Sequence, residues 1–294
     1  MLGQSAALIT YGLLSLALIA LWSPACCRYL PGRVPLWTGL FVLSLSCALW
    51  AGFITPLALP FIALLAGATY VFSKGRAPPA YRALAGAVIV ILSAGLMAHA
   101  IPGFHNYQAI TDVVLSPGAL PYHQYLNYDK ATMGLLILAC CVALAHSATE
   151  WRALLRSALP WAVGMFALLA ALALAMGYVR LDPKLPHVTL LWAWINLWFT
   201  CVPEEALFRG FIQRGLQDAL SEVRHGPTLA LMTAAILFGM SHFAGGPRFI
   251  ALATVAGWGY GRIYQRTGAI EASILVHFVV NGLHFVLFTY PALK

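Results

Sequence analysis

VTLLWAWINLWFTCVPEEALFRGFIQRGL, residues 188–216, decides the fold. Residues 188–203 carry no charged side chain; Glu204 and Glu205 then interrupt the apolar run, and Arg209 follows. A helix needs roughly 20 predominantly apolar residues to cross a bilayer core, and this stretch is long enough. Ionisable groups at membrane depth cost several kcal/mol, so they face a bundle interior and are paired or functional. The stretch therefore reads as a membrane helix with a polar site on it.

The rest of the chain agrees. Of its 294 residues 61% are hydrophobic and 9% charged, with mean hydropathy +0.82; a soluble domain carries about 25% charged residues. About ten apolar runs recur, near 5–22, 35–54, 56–73, 83–101, 131–147, 157–178, 188–216, 227–243, 249–264 and 270–291. No alternation of barrel-strand length appears, and lipid leaves helices as the remaining way to satisfy the backbone. The expected fold is an all-α, polytopic transmembrane helical bundle of about 8–10 spans, with its active site inside the C-terminal helices. The first run, Ser5 to Trp22, lacks a basic flank and a small-residue cleavage site, so it reads as a retained span.

Net charge is +8, but the 17 Lys and Arg are scattered between apolar runs. That pattern orients a membrane protein and excludes a nucleic-acid stripe. Arg28, Arg33, Lys74, Arg76, Arg82, Arg152, Arg156, Arg214, Arg224, Arg262 and Arg266 fall in alternate loops. The positive-inside rule makes those loops cytoplasmic and both termini external, in the cytoplasmic (inner) membrane. The six Cys include adjacent pairs but no CxxC spacing, which argues against a disulfide framework or structural zinc. Cys26 and Cys27 read as packing residues, although a membrane edge would also suit acylation.

Residues 102–129 hold no Lys or Arg and several Tyr, Pro and Gly. They read as an extracytoplasmic loop lying on the bilayer, with substrate gating as the alternative. The polar stretch VRLDPKLPH, residues 179–187, marks the organisational boundary. Residues 1–186 form N-terminal transmembrane helices and 187–294 a catalytic transmembrane domain.

On a helix, Glu205 and Arg209 are four apart and share a face, while Glu204 points elsewhere. Arg209 would then hold Glu205, leaving Glu204 free to act as a base. His242 closes the run AAILFGMSHFAGG, with Phe238 one turn earlier to wall the imidazole off from lipid. His277 and Asn281 project from one face of SILVHFVVNGLHFVLF, and His284 continues it. Each feature alone has a plain structural reading, such as interhelical hydrogen bonding. Together, a carboxylate, two imidazoles and an amide are the parts for activating water and holding an oxyanion.

These motifs resemble the CPBP family, the membrane CAAX proteases and bacteriocin-processing enzymes also called Abi proteins. EExxxR is present at Glu204–Arg209, FxxxH at Phe238–His242 and HxxxN at His277–Asn281. Gly261, Thr267, Gly268 and Ile274 also fit, and the likeness covers about 190–285. The resemblance implies a glutamate-dependent intramembrane endopeptidase acting on a membrane-anchored protein or peptide. In it Glu204 and His242 activate water, His277 and Asn281 hold the oxyanion, and Glu205 and Arg209 position Glu204. Such enzymes were once described as zinc-dependent, which would make Glu204, His242 and His277 the ligands. HExxH is absent and Asn281 suits an oxyanion better than zinc, so no cofactor is expected. A transporter with a buried Glu/His site, or a non-catalytic immunity or scaffold protein, is the competing reading.

Overall fold

A computed structural model describes residues 2–23, 29–30, 34–73 and 77–294. Cys26, Cys27, Arg28, Arg33, Lys74 and Arg76 lie outside the described residues. The chain is mostly helical. Its elements are α1 (Leu2–Ala20), β1 (Tyr29–Leu30), β2 (Val34–Pro35), α2 (Leu36–Trp50), α3 (Leu59–Ser73), α4 (Pro79–Met97), β3 (Tyr107–Val113), β4 (Tyr122–Leu126), α5 (Tyr128–Cys141) and α6 (Ala148–Ala175). They continue through α7 (Thr189–Asn196), α8 (Val202–Glu205), α9 (Arg214–Ala219), α10 (Gly226–Met240), α11 (Gly246–Thr267) and α12 (Ile270–Leu287).

Among the described residues five helices are long and apolar enough to cross a membrane: Gly3–Ala20, Pro56–Ser73, Pro79–Met97, Ala148–Ala175 and Ile270–Leu287. The bent pair Gly226–Met240 and Phe243–Thr267 makes six if counted as one. The protein is thus a multi-pass membrane protein with fewer qualifying helices than the 8–10 spans expected. The shorter apolar runs fall below that length for local reasons. The run at 35–54 holds a helix of 15 residues and that at 131–147 one of 14, while 188–216 is divided by two π-helical segments. Two small two-stranded sheets, β1–β2 and β3–β4, accompany the helices.

The chain separates into two compact units. The first holds Met1–Tyr107, Leu126–His146 and Trp198–Leu207; the second holds Gln108–Tyr125, Ser147–Leu197 and Phe208–Lys294.

In the first unit, Tyr11 of α1 is fully buried and meets the rings of Phe53, Tyr128 and Phe199 at 5.4, 5.8 and 5.6 Å. Its hydroxyl accepts from the Tyr107 amide at 3.2 Å, so an otherwise costly buried polar tip is satisfied. Ser44 of α2 donates to the Thr10 carbonyl at 2.7 Å. Helix α5 is buried along almost its whole length, and Gly134 lets it touch the segment that carries the paired acids. A Cβ at Gly134 would come within 2.7 Å of the Pro203 Cα. Backbone cannot yield as a flexible side chain does. Gly134→Ala is therefore expected to lower stability by about 1–3 kcal/mol, the range for overpacking, as read by thermal unfolding in detergent.

In the second unit, the stretch expected to be a loop at 102–129 contains the paired strands β3 and β4. The short connection 114–121 requires them to run antiparallel. Tyr122, Gln124 and Leu126 alternate inward, and Ile110 and Tyr122 join Trp192 of α7 and Phe285 of α12 in one core cluster. Leu120 donates to the Ala292 carbonyl and Lys294 to that of Gly118, which ties the hairpin to the chain's last residues. The polar stretch 179–187 is likewise paired. Asp182 and Lys184 donate to the Leu287 and Val286 carbonyls at 2.8 and 2.7 Å. Asp182 also keeps its carboxyl below the usual range through the Ser116 hydroxyl and Lys184.

Helix α11 folds back along α10 on a stripe of glycines. A Cβ at Gly239 would lie 1.9 Å from Thr254 Oγ1, and one at Gly257 would lie 3.1 Å from the Ala235 carbonyl oxygen. Gly246, at φ +79°, supports the change of direction with a conformation that costs glycine little.

Candidate active site

The acidic pair sits on an irregular stretch of helix. Pro203 has no amide hydrogen, so the Phe199 carbonyl loses its α-helical donor. There the chain adopts the wider π pattern over Leu197–Cys201, runs one α turn over Val202–Glu205, and returns to π over Ala206–Gln213. Such π segments concentrate at functional sites. Both glutamates belong to the first unit and are buried, Glu204 at 4% exposure and Glu205 at 0%. Glu204 Oε2 has no hydrogen-bond partner among the described residues. A buried carboxylate oxygen in that state needs an explanation.

In the second unit Phe238 is the centre around which the other side chains gather. The fully buried Arg209 places its guanidinium 4.5 Å from the Phe238 centroid, and 5.4 Å from that of Tyr260. A desolvated cation over a ring face gains about 2 kcal/mol. Arg209 also donates to the Gly257 carbonyl at 2.9 Å. His242 packs on Phe238 at 4.8 Å and His277 at 5.8 Å. Tyr260 stacks on His277 at 4.6 Å and 18°. The structure thus brings Arg209, Phe238, His242 and His277 together.

The His242 ring is held in one tautomer. Its Nδ1 lies 2.8 Å from the Phe238 carbonyl oxygen, which can only accept, so Nδ1 carries the proton and donates. In the neutral ring Nε2 is then left as the acceptor, the state a base requires. The position explains why: His242 lies between α10 and α11, one turn beyond Phe238, where the chain leaves the helix.

His277 and Asn281 lie one turn apart on the regular helix α12, and His277 is buried. Asn281 Nδ2 donates to Asn196 Oδ1 at 3.3 Å. The sequence reading passed over Asn196, although a lone amide in LLWAWINLWF carries the same signal as the paired acids. It also passed over Gln213 and Tyr260. Gln213 donates to the Gly261 carbonyl at 3.0 Å, four residues beyond the carbonyl that receives Arg209. The glycines of GWGYG therefore leave backbone oxygens open to side-chain donors, a role their spacing alone does not reveal.

Among the described residues no group of three or more His, Cys, Asp and Glu side chains is arranged to hold a metal ion.

Residues 186–283 match the family described as Rce1-like, type II CAAX prenyl endopeptidase Rce1-like. No curated protein and no solved structure matches the chain.

Proposed function

We propose that this chain hydrolyses a peptide bond in a membrane-anchored or membrane-proximal protein, as in CAAX-type or C-terminal-anchor processing; the match of residues 186–283 to the Rce1-like type II CAAX prenyl endopeptidase family supports this reading. In this reading the Glu204 carboxylate and His242 Nε2 take the proton of a water molecule. The resulting hydroxide adds to the scissile carbonyl carbon. His277 and the Asn281 amide stabilise the oxyanion, and the proton passes to the leaving amine as the C–N bond breaks. Glu205 and Arg209 position Glu204, and Phe238 shields His242 from lipid. The scheme draws on side chains alone. The arginine asymmetry of the loops supports a cytoplasmic membrane.

The observation that carries the reading is Glu204: buried, acidic, and with one oxygen that no described residue engages. The test is cleavage by purified chain in proteoliposomes. Glu204→Gln and His242→Ala should both fail to cleave; cleavage equal to wild type would end the proposal, and flux without cleaved product would favour a transporter.

Asn196 offers a finer check. If it orients the Asn281 amide, Asn196→Ala should lower kcat about five- to tenfold, the worth of one hydrogen bond, with KM unchanged. An unchanged kcat would remove Asn196 from the scheme.

A further inference from the structure

We infer that a cavity between α6 and α11 binds the phosphate head group of an anionic phospholipid. The cavity measures about 490 Å³ and is lined by Arg156, Ser157, Pro160, Trp161, Arg266 and Thr267, with no acidic residue on its wall. Arg266 lies over the Trp161 ring at 5.5 Å, and Trp161 is itself fixed by donating to the Gly259 carbonyl at 2.9 Å. Among the described residues neither Arg156 nor Arg266 forms an ion pair. Two guanidinium-bearing side chains therefore line one space with no acidic partner on its wall, a setting that favours an anion. Guanidinium forks match phosphate oxygens in pairs, and charge-assisted bonds are about twice as strong as neutral ones.

Depth selects the ligand. Helix α6 has 28 residues, about 42 Å at 1.5 Å per residue, which exceeds the ~30 Å hydrocarbon core. Its charges, Glu150, Arg152 and Arg156, all lie in its first turns, and residues 157–175 carry none. Arg156 thus marks the edge of the hydrocarbon, where Trp161 is also at home. Leu155, Leu159 and Val163 are exposed on the same stretch of α6, so this part of the helix also presents apolar surface suited to acyl chains. Pro160 adds a notch, because it cannot donate to the Arg156 carbonyl one turn back. The C-terminal pole of α11 opposes an anion, but with only about half a charge against two guanidinium groups. Basic pockets between membrane helices bind lipid head groups by this logic.

The test is a binding titration of the purified full chain in neutral detergent, read by thermal unfolding and native mass spectrometry. Phosphatidylglycerol should raise the unfolding midpoint saturably and stay bound, whereas phosphatidylcholine should not. Arg156→Gln/Arg266→Gln should weaken the apparent affinity at least about tenfold. Arg152→Gln/Arg262→Gln, which removes the same charge outside the cavity, should leave it unchanged. Arg266→Gln alone should show a partial loss, which covers failure of the double variant to fold. Equal weakening by the control pair would overturn the site, as would the absence of any phosphatidylglycerol effect. An equal shift from inorganic phosphate alone would overturn the lipid as its ligand.

Discussion

Glu204→Gln should lower kcat by about a hundred- to ten-thousand-fold, the usual contribution of a positioned acid–base group, while the protein remains folded. The substitution keeps the shape of the side chain and removes only its ability to take a proton. Folding should be little affected, because the Glu204 Oε2 atom has no described partner to lose. An amide there would still bind water but would not polarise it, so KM should change far less than kcat. A mainly structural role predicts the reverse pattern, with stability falling and the folded fraction keeping its activity. The two are separated by measuring single-turnover cleavage and thermal unfolding on one preparation.

Arg209→Leu should destabilise the protein by about 3–5 kcal/mol, the cost of removing a group from a buried charged arrangement. Three losses coincide. The Gly257 carbonyl loses a donor at 2.9 Å, Phe238 loses the cation over its face at 4.5 Å, and the volume beside Tyr260 is only partly refilled. Arg209→Lys keeps the charge but not the planar fork that stacks and donates together, so it should recover only part of the loss. Denaturant titration in mixed micelles measures both. Full recovery by lysine would mean that charge alone matters and that the stacking on Phe238 contributes little.

The membrane class of the fold and the motif positions were legible because each rests on short-range chemistry. Apolar runs name spans, and acids or imidazoles inside them name a polar interior. Phe238 was expected to shield His242, and the rings do meet. What escaped depends on contacts distant in sequence. The strand β4 carries an alternating inward pattern at Tyr122, Gln124 and Leu126, but Pro and Gly nearby made 102–129 look like loop. Its order comes from Trp192, Phe285 and the final residues of the chain. The π segments escaped for a different reason. Pro203 announces a break in the helix, but a proline does not say whether the chain kinks, ends or widens there. Asn196 was visible as a polar residue in an apolar run, yet only folding shows that it meets Asn281. Hydropathy records apolar length and does not reveal where a helix breaks within a run.

The most direct test of the central claim compares the processed termini of membrane proteins in cells carrying wild type or Glu204→Gln, by quantitative mass spectrometry. Proteolysis by this site predicts that at least one membrane-anchored protein loses its shortened form and accumulates uncleaved with Glu204→Gln. Identical termini in both cells, with the variant present at the wild-type level in the membrane, would contradict it.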